Sequence, residues 1–252
     1  KRVSGFLGAV QFLTRIPVRT RAAVPHDRVL PWLPFVGALI GAVVGGIAVG
    51  LAHLVPAVVA TMCAIGAGLL ITGAFHEDGL ADVADAFGGG TTPERRMEIL
   101  KDSHHGTYGV AALCASIVLR WVGMATVASS QAVFAGFVAA HALGRTGAVA
   151  AMGVFPPARE AGLGADHARR MRPIATTAGI AVALAIVVVV TGWWAGPLIA
   201  AALAGTGVVA VLAMRKIGGL TGDVLGAIEQ VVECLVIVTV SGLASRHLVW
   251  WA

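Results

Sequence analysis

The sequence is short of charge. Asp, Glu, Lys and Arg make up 12% of its 252 residues, about half of the roughly 25% usual in soluble domains. Between Arg28 and Glu77 none of the four occurs. Apolar residues reach 58% and mean hydropathy is +0.87, so a globule of this size would lack the polar surface that keeps it in solution. The same apolar excess excludes a disordered chain. Cysteine is scarce too: Cys63, Cys114 and Cys234 each lie inside an apolar stretch, which excludes a disulfide scaffold. The 33 Gly follow no three-residue period, so collagen-like order is out. A secretory signal is not expected, because Lys1, Arg2, Arg15, Arg19, Arg21 and Arg28 precede any continuous apolar core. What remains is an all-α, polytopic membrane protein, expected as one integral-membrane domain over residues 1–252.

A crossing helix needs about 20 apolar residues. Seven stretches qualify: 33–52, 57–75, 108–127, 133–152, 174–192, 198–214 and 224–243. Alternation then puts the N-terminal segment 1–28 and the loops 76–107, 153–172 and 215–223 on one side. That side holds every basic residue except Arg120, Arg145 and Arg246. The positive-inside rule makes it cytoplasmic, with the C-terminus outside. This distribution also accounts for the net charge of +5 and pI near 9.7 without a nucleic-acid partner. Trp193, Trp194, Trp250 and Trp251 are expected as an outer aromatic belt. Residues 4–17 are too short to span. Phe6, Val10, Leu13 and Ile16 fall at helical spacing there, which predicts an in-plane interfacial helix.

The densest chemistry follows the second stretch. Glu77, Asp78, Asp82 and Asp85 crowd one short segment, and on a helix Asp78, Asp82 and Asp85 take offsets 0, 4 and 7, one stripe, with Glu77 on its flank. Like charges at this spacing cost a few tenths of a kcal/mol each. A hard divalent cation such as Mg²⁺ relieves the repulsion and leaves open positions for phosphate oxygens. Such a mouth suits phosphoryl transfer from a diphosphate to an alcohol, ionisation of a prenyl diphosphate, or ion or proton movement. Arg95, Arg96, Lys101 and the run from Asp102 and Ser103 to Gly109 add phosphate-contact chemistry. Deeper, Arg145 shares a helix face with His141, and Arg120 also falls inside a span; Glu229 or Glu233 is an expected partner for one of the two arginines. The glycine-rich turn 218–226 returns Asp223 to the same mouth.

Together these motifs resemble one family. Phe12-Leu13-Thr14-Arg15-Ile16-Pro17-Val18, then His76-Glu77-Asp78-Gly79-Leu80-Ala81-Asp82 continuing to Asp85, then Lys101-Asp102-Ser103 with Gly106 and Gly109, then Thr221-Gly222-Asp223 with Gly226 look like the cobalamin synthase family of adenosylcobinamide-GDP ribazoletransferases. The order is kept from residue 12 to 233. The resemblance implies Mg²⁺-dependent attack by a ribose hydroxyl of α-ribazole, or of its 5′-phosphate, on the phosphorus next to the cobinamide, with GMP leaving. It implies metal-binding by Glu77, Asp78 and Asp82, and Asp85 as a further ligand or as acceptor of the hydroxyl proton. Lys101, Arg15 and Arg145 would stabilise the diphosphate or GMP; Arg95, Asp102, Ser103, His141 and Asp223 would contact substrate. A place in the bacterial inner membrane, and a homo-oligomer or a complex with other late-pathway enzymes, are implied by the resemblance alone. A CDP-alcohol phosphotransferase would want Ala-Arg where Ala81 is followed by Asp82, and a prenyltransferase would want a second Asp-rich motif. A transporter would spread its charges along a midplane path, whereas here nearly all gather at one face.

Overall fold

A computed structural model describes residues 2–18, 24–158 and 172–247, and these are almost entirely helical. In chain order they form α1 (Arg2–Leu13), a single turn α2 (His26–Val29), α3 (Leu33–Leu51), α4 (Ala57–Thr72), α5 (Phe75–Gly89), α6 (Pro93–Ile99), α7 (Thr107–Ala125), α8 (Ser130–Val154), α9 (Pro173–Thr191), α10 (Ala195–Ile217) and α11 (Gly222–Ala244). Each of the seven apolar stretches is a helix. By length and composition, five continuous helical stretches can cross a membrane, and six if α4 and α5 together count as one.

Two breaks account for the difference from seven. Alone, α4 is short, and the chain turns by 89° between α4 and α5. Gly73 and Ala74 make that turn with φ of 68° and 55°, a left-handed conformation that glycine tolerates and alanine adopts only under constraint. The second break lies inside the longest stretch, Pro173–Ile217. At Gly192 the backbone takes φ 55° and ψ −132°, which no right-handed helix can follow. The start of α9 abuts Pro31 through Gly179, and its end lines a groove with Gly50 and Ser130. From there α10 returns, and Lys216 Nζ donates to Phe87 O at 2.8 Å. The chain therefore doubles back at Gly192.

The most buried helix, α8, is flanked by α3, α11, α9 and α10. Its seam with α3 is made by Gly37, Gly41 and Gly45. A Cβ at Gly41 would lie 2.8 Å from Val138 Cα, and one at Gly37 would lie 2.6 Å from His141 O. Small residues four apart let two backbones touch, the packing that holds helices together where lipid offers no hydrophobic contrast. Short polar caps start the helices at their ends: Ser129 Oγ accepts from Ala132 N, and Thr221 Oγ1 from Val224 N. Trp193 is exposed, as a belt residue should be, but Trp194 is buried in the bundle, so the aromatic belt loses it. Trp250 and Trp251 lie outside the described residues. The N-terminal α1 buries Ala9 and Leu13 on the neighbouring helices and leaves Ile16 exposed beyond its end.

Candidate active site

Packed between α11 and α7, α5 carries all four expected acids. Only two of them share the open mouth. Asp78 is exposed and Asp82 half-buried one turn on; His105, from the loop before α7, sits between them. Its Nε2 is 3.4 Å from Asp78 Oδ1, and its Nδ1 is 3.5 Å from Asp82 Oδ1. One donor atom from each of the three residues lies within 4.8 Å of the others. Asp223, at the start of α11, is near enough for its charge to act on Asp82, and its backbone lies against Gly79, where a Cβ would meet Asp223 O at 2.7 Å. The Asp82 carboxyl is pushed up to about 6, first by burial, then by the negative charges of Asp78 and Asp223, with His105 pulling the other way. Three acids against one imidazole are under-compensated. Oxygen donors, partial exposure and excess negative charge fit a hard divalent cation that keeps some of its waters.

Asp85 does different work. Its Oδ2 accepts from Gly106 N at 2.6 Å and its Oδ1 from Gly109 N at 2.9 Å. Both oxygens are thus committed to the start of α7, where two amide groups would otherwise lack helical partners. Expected as a metal ligand, Asp85 is not in the group of Asp78, Asp82 and His105; it anchors the start of α7 and with it the loop that carries His105. The glycines at 106 and 109 are required by this contact, since a Cβ at Gly106 would fall 2.7 Å from Asp85 Oδ1.

Glu77 is also placed apart from the mouth. It is buried, and its Oε1 accepts from Arg120 Nη2 at 3.0 Å. Arg120 Nη1 meets Glu233 Oε2 at 3.0 Å. Glu233 in turn is bonded to Arg145, and its Oε1 is 2.7 Å from His141 Nδ1. Arg145 Nη2 reaches Glu229 Oε1 at 2.6 Å, and Glu229 Oε2 reaches His76 Nε2 at 2.6 Å. This closed network of α5, α7, α8 and α11 lies inside the bundle, so Arg145 and His141 are paired residues there and not cations of the mouth. The expected partnership, for one of the arginines with Glu229 or Glu233, extends to both: Glu233 pairs with both and Glu229 with Arg145.

The other cations expected at the site lie outside this network. Arg15 lies against the α4–α5 turn: its N–H donates to Ile71 O at 2.7 Å, and its side chain fills the space beside Gly73. Lys101 and Ser103 are exposed on the loop after α6, and Asp102 there is occupied by His104 at 2.8 Å. Arg95 makes an exposed pair with Glu98 at 2.8 Å. Arg96 and Lys216 tie α6 and α5 to the end of α10. Sequence spacing did not single out His105; nothing local marks it, because its meaning comes from Asp85 holding its loop.

A family model described as cobalamin-5-phosphate synthase matches residues 5–241. Among curated relatives, an adenosylcobinamide-GDP ribazoletransferase of Bradyrhizobium diazoefficiens is 40% identical, over 91% of this chain and 90% of that protein. Proteins of the same name from Ralstonia pickettii and Azorhizobium caulinodans are 38% and 37% identical, covering 91% and 95% of this chain and 91% and 96% of theirs. No solved structure matches.

Proposed function

The chain belongs to the cobalamin-5-phosphate synthase family, and on that premise we propose that it transfers the cobinamide phosphate of adenosylcobinamide-GDP to a ribose hydroxyl of α-ribazole or its 5′-phosphate. The hydroxyl oxygen forms a bond to the phosphorus next to the cobinamide, the phosphoanhydride bond breaks, and GMP leaves. The observation that carries this reading is the under-compensated mouth of Asp78, Asp82 and Asp223 around His105, where α5 meets the start of α7.

Transfer of this kind asks mainly for positioning and charge neutralisation. Asp78 and Asp82 would hold Mg²⁺, which when bound neutralises the diphosphate. His105, whose two ring nitrogens face the two carboxylates, would be the base that takes the hydroxyl proton once the cation holds those carboxylates. Asp85 keeps that imidazole in place through Gly106 and Gly109. Lys101 and Arg15, both exposed, would meet the phosphate oxygens of the leaving GMP. The positive-inside distribution supports a cytoplasmic mouth in the inner membrane, the side on which nucleotides are available.

The test is GMP release by detergent-solubilised protein given adenosylcobinamide-GDP, α-ribazole and Mg²⁺. Release should require all three, stop with EDTA, and fall at least about 100-fold in Asp82→Ala. Release that continues without α-ribazole, or without any divalent ion, sinks the reading.

A further inference from the structure

The acids of the mouth come from two segments of chain that carry like charge and lie side by side. One is α5, with Asp78 and Asp82; the other runs from the end of α10 into α11, with Asp223. Carboxylates that repel one another spread apart unless contacts outside them fix their spacing. Such contacts lie on either side of the three. Toward the start of α5, His76 Nε2 is 2.6 Å from Glu229 Oε2, and a Cβ on Gly226 would meet His76 O at 3.3 Å. Toward its end, Lys216 Nζ donates to Phe87 O at 2.8 Å and lies 5.8 Å from the centre of the Phe87 ring. The two segments therefore run in opposite directions. His76 meets Glu229 at one end, Phe87 meets Lys216 at the other, and the acids stand between.

The contact at Lys216 has a local reason. Phe87 O belongs to the last turn of α5, whose carbonyls have no partner within the helix. An ammonium there also meets the negative end of the helix. Lys216 is itself held: Arg96 Nη1 of α6 donates to Lys216 O at 3.1 Å, and Arg96 Nη2 to Thr91 O at 3.3 Å. Between Lys216 and Asp223 the chain has little freedom. Gly218 turns it with φ 79°. Leu220 donates to Pro156 O and accepts from Ala158 N, both at 2.9 Å, and Thr221 Oγ1 accepts from Val224 N at 3.3 Å. Residues 156–158 continue from α8, so they tie the turn to α8 and not to α5. A shift at Lys216 is thus passed to Asp223 instead of being absorbed in the turn.

We propose that Lys216 is a positioning residue for the cation site: by tying the end of α5 to the end of α10, it sets the separation of Asp223 from Asp78 and Asp82. Its ammonium is committed to Phe87, and it acts through those acids. The inference rests on the reading of the mouth as a divalent-cation site. Arg215, the neighbour of Lys216, is exposed and carries the same charge, which makes it the control for charge alone.

The test is the Mn²⁺ affinity of folded, detergent-solubilised protein, read by titration, with the melting temperature measured alongside. Lys216→Met keeps the stem and removes the ammonium; it should weaken Mn²⁺ binding at least fivefold. Lys216→Arg should restore affinity to within twofold of wild type, and Arg215→Met should stay within twofold. Arg96→Met, which cuts the tie to Lys216 O from α6, should weaken Mn²⁺ binding at least twofold. In turnover, Lys216→Met should raise the Mg²⁺ concentration for half-maximal GMP release at least fivefold. The KM for adenosylcobinamide-GDP at saturating Mg²⁺ should stay within twofold. A purely structural lysine would lower the melting temperature and leave the Mn²⁺ affinity of the folded protein unchanged. That result, or equal weakening in Arg215→Met, overturns the proposal. Where Lys216→Met does not fold, unchanged affinity in Arg96→Met overturns it. Wild type that binds no Mn²⁺ removes the cation reading and this inference with it, whereas equal Mn²⁺ binding by wild type and Lys216→Met removes the inference alone.

Discussion

Asp78, Asp82 and Asp223 crowd one imidazole, and their mutual repulsion sets how the mouth responds to pH. With Asp82 raised to about 6, a proton competes with the divalent cation below that value. Cation affinity should fall about tenfold per pH unit below 6 and level off above it. Asp223→Asn removes one of the repelling charges, so the break should move to lower pH, measurable by Mn²⁺ titration as a surrogate ion. The same shift has a sign for stability. Between about 4 and 6 the folded chain binds more protons at Asp82 than the unfolded chain, so without cation stability falls as pH rises through that window. Asp85 behaves otherwise. Asp85→Ala frees two amides of the α7 start, costing roughly 1–3 kcal/mol. Turnover should drop with the 100–109 loop opened to protease, while Mn²⁺ affinity changes less than in Asp82→Ala. The 0, 4, 7 stripe was legible from spacing alone. Which oxygen faces a metal and which faces Gly106 was not, because that depends on a loop that arrives from 21 residues away.

At the scale of helices, the seam between α3 and α8 is fixed by glycines on one face. Gly41→Leu would push a side chain into Phe137 and Val138, whereas Gly46, on the same helix, faces open space. Overpacking costs about 1–3 kcal/mol, so Gly41→Leu should lower the melting temperature in detergent by several degrees and Gly46→Leu should leave it unchanged. The four-residue spacing of Gly37, Gly41 and Gly45 stands plainly in the sequence, and a reading for apolar length passes over it. The seven helices were legible because hydropathy reports what lipid tolerates. The turns were harder. Gly73 next to Ala74 carries no stronger mark than any other glycine followed by alanine, so the 89° bend that presents α5 to α11 and α7 could not be read beforehand.

Across the whole molecule, the buried ion network joins four helices that are distant in sequence. Glu233 is 113 residues from Arg120 and 88 from Arg145. Pairings at that range leave no periodic trace, so the sequence offered Glu229 and Glu233 only as candidates. Removing one member strands the others. Glu233→Ala should cost about 3–5 kcal/mol, seen as loss of folded protein in detergent, and Glu233→Gln should cost less because it keeps the shape and part of the hydrogen bonding. The same pairing has a consequence for biogenesis. Each buried arginine costs about 2.5–3.5 kcal/mol to insert when unpaired, and synthesis at about 5–20 residues per second delivers Glu233 roughly 4 to 18 seconds after Arg145. Arg120 can meet Glu77 of α5 as soon as α7 emerges, but the acidic partners of Arg145 arrive only with α11, so until then α8 is a poor client for the lipid phase and the insertion machinery has to shelter it. A chain halted after α10 should therefore be handed to membrane quality-control proteases, and supplying α11 as a separate peptide during translation should rescue it.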